Sequence, residues 1–86
     1  MPRALTIQRS IIPATDRKRQ IDRLRAKRDH YHGMQCRYWV FEEAAVRGAF
    51  LEFVEADTAE ALAAAHASAA DPPLDAARIY LEVELT

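Results

Sequence analysis

Apolar residues alternate near both ends of the chain and recur at helical intervals between them. Residues 4–12, ALTIQRSII, place Leu5, Ile7 and Ile11 on one parity with Arg9, and Thr6, Gln8 and Ser10 on the other. That is the pattern of a strand with one apolar and one polar face. Pro13 ends it, and Thr15 or Asp16 caps a helix running from about Asp16 to about Tyr31. The helix carries a narrow apolar stripe of Ile21, Leu24 and Tyr31, so it lies on the surface with one side down. Gly33 is placed to take the left-handed conformation that closes a helix. Residues 35–42, QCRYWVFE, form an aromatic second strand, and 43–47 are short enough for a hairpin connection. Gly48 opens a third strand holding Phe50, Leu51, Phe53 and Val54. Asp57 stops that strand and caps a second helix, with Glu60 at the capping-box spacing. The alanine-rich run that follows has high helix propensity, and Asp71-Pro72-Pro73 ends it. Residues 78–85, RIYLEVEL, alternate most regularly, with Ile79, Leu81, Val83 and Leu85 on one side and Tyr80, Glu82 and Glu84 on the other.

The order β-α-β-β-α-β predicts a single α+β domain over 1–86. Its expected form is the ferredoxin-like unit, a four-stranded antiparallel sheet with both helices on one face. The other face is then bare. Parity assigns it Thr6, Gln8 and Ser10 from the first strand and Tyr80, Glu82 and Glu84 from the last. The third strand adds Phe50, Glu52 and Val54, with Leu51 and Phe53 turned to the helices, and the second adds Arg37, Trp39 and Phe41. A bare face carrying Trp39, Phe50 and Val54 is an apolar patch that monomers avoid. Packing two sheets face to face in a homodimer buries it and leaves room for a small ligand among convergent polar groups.

Charge changes the picture in one respect. Residues 1–40 carry ten Lys and Arg against three Asp, a balance of +7, while residues 41–86 carry two Arg against ten acids, a balance of −8. Such a division means either a nucleic-acid face or two halves that pair with each other. Cys36 is the only cysteine, so no disulfide forms within the chain, in keeping with a reducing compartment. No apolar run is long enough to cross a bilayer, and a cytoplasmic protein without a membrane partner is expected. His30, His32 and Cys36 fit no zinc spacing, so no metal is expected.

Four side chains invite chemistry. Glu52 stands in an apolar strand, where it serves either as a base or as the partner of an arginine such as Arg37 or Arg9. His66, on the face of Leu62, is either a base or a packed helix histidine. Trp39 is either a stacking wall or core and interface mass, and Tyr80 carries the same two readings. Trp39, Phe50 and Gln8 are the candidate ligand contacts.

The element order, the GAFLEFVEADTAEAL stretch and the AAAHAS that follows resemble the dimeric α+β barrel superfamily, and within it antibiotic biosynthesis monooxygenase-like domains. The likeness rests on Phe50 to Glu55, Asp57, Glu60-Ala61-Leu62 and His66. It implies a homodimer joined by the open sheet faces and, where catalytic, a cofactor-independent oxygenation of an activated aromatic. Glu52 or His66 would then be the base and Tyr80 the oxyanion donor. A non-catalytic dimeric barrel is the alternative. RGAFLEF at 47–53 also resembles the core motif of RNA-recognition domains, but one residue is missing and LTIQRS lacks the required aromatic. With Glu52, Glu82 and Glu84 repelling phosphate, nucleic-acid binding ranks third.

Overall fold

The computed structural model describes residues 2–86. Strand β1 (Ala4–Ile11) leads through a 3-10 turn (Ala14–Asp16) into helix α1 (Arg17–Gly33). Strands β2 (Arg37–Glu42) and β3 (Ala49–Ala56) follow, then helix α2 (Ala59–Ala67) and a short β4 (Tyr80–Leu81). The strands form one antiparallel sheet in the order β2-β3-β1-β4. With two helices this is an α+β arrangement compatible with the ferredoxin-like unit.

Helix α1 turns Gln20, Leu24, Lys27 and Tyr31 inward, and α2 turns in Leu62, Ala65 and His66. Tyr31, Cys36, Leu62 and Ala65 close the core against Ala4, Val54 and Ala56 of the sheet. The stripe on α1 is therefore 20-24-27-31, a wider face than the apolar residues alone define, because two of its four members are polar. Gly33 remains helical; the left-handed residue is Gln35, at φ 60°. The cap of α2 is Thr58, whose hydroxyl accepts from the Ala61 backbone N–H at 3.1 Å, while Asp57 pairs with Arg37. At Gly48, φ is +91° and a Cβ would fall 2.4 Å from the Ile12 carbonyl oxygen, so only glycine fits this approach.

The register reverses the expected faces of β1 and β3, while Trp39 of β2 and Tyr80 of β4 keep the bare face. Thr6, Phe50, Glu52 and Val54 are buried beneath the helices, with Gln8 and Ser10 half-buried along the same parity. Leu5, Ile7, Arg9 and Ile11 share the bare face with Leu51 and Phe53, their cross-strand neighbours on β3. Trp39 and Phe41 lie opposite Phe53 and Leu51, as the Trp39 assignment requires. Parity misled in β3 because both sets contain apolar residues and one glutamate, so amphipathicity did not choose between them.

The regularly alternating final segment forms only two ladder residues. Glu82 N–H still donates to the Arg3 carbonyl at 2.9 Å, beyond the paired residues Tyr80 and Leu81. Val83 and Leu85 are left largely exposed.

Candidate functional site

The layer between sheet and helices contains a polar cluster built around Glu52. Its Oε1 accepts from Lys27 Nζ at 3.1 Å and from the Tyr38 hydroxyl at 2.7 Å. Gln8 Nε2 lies 3.4 Å from Oε2, and Gln8 Oε1 accepts the Leu74 backbone N–H at 2.8 Å. The side chains of Lys27 and Glu52 are only 8% and 6% exposed, so the pair is removed from water on both sides. Lys27 also lies 3.7 Å from Asp71, which Arg23 holds from the rim at 2.8 Å. Burial and the hydrogen bond to Glu52 raise the Tyr38 phenol well above its ordinary range, so it remains a donor.

A second cluster abuts the first. His66 Nε2 meets the Thr6 hydroxyl at 2.9 Å, and Nδ1 meets the Tyr31 hydroxyl at 2.8 Å. Burial, with the nearby His30, lowers the His66 pKa and keeps the imidazole neutral. A neutral ring has one N–H, so one hydroxyl donates to it and the other accepts from it. Burial likewise pushes Tyr31 up to about 12. The Tyr31 and Tyr38 rings stack at 5.7 Å and join the two clusters. Thr6, Gln8, Lys27, Tyr31, Glu52 and Asp71 surround a cavity of about 10 Å³, room for about one water.

Among the residues singled out in the sequence, Glu52 and Gln8 come together here, and His66 stands one ring away. Phe50 is on the same side of the sheet, beneath the Arg17 guanidinium. Trp39 and Tyr80 occupy the opposite face, Tyr80 beside Leu5, and do not converge with Glu52. Lys27, Tyr31, Tyr38, Thr6 and Asp71 complete the cluster and were not anticipated. The signal for Lys27 and Tyr31 was their spacing from Leu24, which places all three on one side of α1.

The division of charge between the two halves resolves into pairing. Arg17 grips Glu42 with contacts of 2.8 and 3.0 Å, and Arg37 holds Glu55 and Asp57. Arg3 meets Glu55 and Glu82, and Arg23 and Lys27 meet Asp71. Most of the first-half cations thus meet second-half carboxylates, while Lys18, Arg25 and Arg28 pair with Asp22 and Asp29 of their own half. Among the described residues no helix is long and apolar enough to cross a membrane. No family model, curated protein or solved structure matches the chain.

Proposed function

We propose that this is a homodimeric α+β barrel protein in which Glu52 performs acid–base chemistry on a small aromatic molecule admitted between sheet and helices. The burial of the Lys27–Glu52 pair beside a cavity carries the reading. Two desolvated charges stabilise a fold less than an apolar pair of the same volume, so their presence is better explained by chemistry than by stability. The resemblance to monooxygenase-like domains supplies the reaction class. Glu52 accepts a proton from an activated CH2 of an anthrone or related phenol. The resulting carbanion adds dioxygen, and the hydroperoxide loses water to leave a ketone. Lys27 and Tyr38 hold the carboxylate in place, and the Lys27 ammonium, with three N–H groups, keeps a donor for an oxyanion. The segment around Asp71 to Leu74 forms the cover, tied by the Arg23–Asp71 pair and the Gln8–Leu74 bond, and it must lift for substrate to enter.

The second half of the reading is the dimer. Ile7, Ile11, Trp39, Phe41 and Tyr80 are exposed on one face of one sheet, with Leu51 and Phe53 half-buried between them. A second copy laid on that face removes this surface from water.

Oxygen consumption with anthrone and hydroquinone substrates tests the chemistry. Wild-type protein is expected to consume oxygen with at least one of them, and Glu52→Gln to slow it by about 10²-fold or more. Equal rates for the two proteins would remove Glu52 from the reaction. A dimeric, correctly folded protein inert toward the whole panel would leave the non-catalytic barrel as the better description.

A further inference from the structure

A second opening lies on the other side of Tyr38. Between α1 and the β2 edge of the sheet is a groove of about 350 Å³, walled by Ile21, Leu24, Tyr38, Val40 and Phe50. This falls within the range of small-ligand sites, and its walls are apolar as such sites require. Arg25 and Arg28 also line it, one helical step apart on the same side of α1 as Ile21 and Leu24. One carboxylate, Glu42, faces the groove. Its charge is already matched by the two-point contact with Arg17, which with the Gly48 backbone N–H pulls its pKa down to about 2. Arg25 and Arg28 are held less firmly. Arg25 lies 3.6 Å from Asp22, and Arg28 pairs with its sequence neighbour Asp29 at 3.1 Å. Both pairs are exposed and of the kind that contributes little. A ligand carboxylate can take either guanidinium at small cost.

We infer that this groove binds a compact aromatic carboxylic acid, its ring against Leu24, Tyr38 and Phe50 and its carboxylate between Arg25 and Arg28. The apolar wall and the paired cations define the two ends of such a molecule. A guanidinium meets a planar carboxylate through two parallel hydrogen bonds, which favours a carboxylate over an alcohol of equal size. The groove is distinct from the cavity at Glu52. The two are linked through Tyr38, whose ring lines the groove while its hydroxyl donates to Glu52.

The test is calorimetric and NMR titration with 2-naphthoate and with its neutral counterpart, 2-naphthalenemethanol. Naphthoate is expected to bind the wild type, to perturb the amides of residues 21–28, 38–42 and 50, and to exceed the alcohol in affinity. In the double variant Arg25→Gln/Arg28→Gln, naphthoate is expected to weaken by about tenfold or more, with the alcohol unchanged. Both arginines are exposed, so the variant keeps the fold, which its amide spectrum verifies. A second variant, Val40→Glu, places a charge in the wall and should abolish binding of both probes. Absence of naphthoate binding to the wild type would overturn the inference. So would equal affinity for the two probes, retention of naphthoate affinity in the arginine variant, or perturbations confined to the bare sheet face or to the Glu52 cavity.

Discussion

The two faces of the sheet differ in the opposite sense from most half-covered sheets. The face under the helices holds Thr6, Gln8 and Glu52, joined by Lys27 and His66 from above. The face turned to solvent holds Leu5, Ile7, Trp39, Phe41, Leu51 and Phe53, with the Phe41 and Phe53 rings edge to face at 5.7 Å. The covered face also buries Ala4, Phe50, Val54 and Ala56, so hydrophobic burial leaves only its polar members unexplained. The contrast teaches that the covered face holds polar groups at fixed distances, while the other leaves large apolar side chains open to solvent.

The largest effect that sharpens the contrast is expected inside. Lys27→Met leaves the Glu52 carboxylate buried beside Tyr38 without its cation and should cost about 3–5 kcal/mol in urea unfolding. Adding Glu52→Leu should recover most of that loss, since an apolar pair avoids desolvating two charges. A folded double variant without oxygen-consuming activity would separate stability from chemistry. If Lys27→Met alone proved neutral, the inner face would be wet and the contrast overstated.

Outside, Trp39→Glu should leave monomer stability almost unchanged, because the indole is 43% exposed. In light scattering it should weaken dimerisation by about 2 kcal/mol or more, as loss of a central aromatic contact does. A protein monomeric before and after the change would break the comparison from the other side, leaving the apolar face uncovered in solution.

The same contrast explains what the sequence revealed. The order of the elements was legible because each break is written in local chemistry, at Pro13, at the Gly48 turn and at Asp71-Pro72-Pro73. The choice of face was not. In AFLEFVEA each parity offers apolar residues and one glutamate, and in ALTIQRSII the apolar parity is the bare one. An amphipathic rule assigns apolar residues to the helices, and it fails in β1, where Thr6, Gln8 and Ser10 take the covered side. Glu52 and His66 were recognisable as polar residues in apolar settings. Lys27 was hidden among seven other cations between Arg9 and Arg28, where nothing but its helical spacing from Leu24 and Tyr31 marks it as buried.

A smaller effect follows from His66. Its pKa is lower in the folded protein than in the unfolded chain, so unfolding takes up a proton when the medium is acid enough. Stability from this group is therefore complete above about pH 6.5 and is lost as pH falls from there through the folded value. His66→Asn should flatten this part of the pH–stability profile. An unchanged slope would mean that the imidazole titrates freely and is not sealed between Thr6 and Tyr31.

The smallest effect decides which residue anchors α2 over the covered face. Two neighbours compete. Asp57 has the capping-box spacing to Glu60, yet its carboxylate is turned to Arg37 at 2.9 Å and is largely exposed. Thr58 has extended backbone, φ −141° and ψ 159°, and its hydroxyl takes the Ala61 N–H. A cap fills one of the helix's unpartnered donors, whereas an exposed ion pair is screened by water. Thr58→Ala should therefore cost about 1 kcal/mol and Asp57→Ala under about 0.5 kcal/mol, with Thr58→Ser close to wild type. The reverse order in urea unfolding would move the cap to Asp57 and free Arg37 to act only through Glu55 on the bare face.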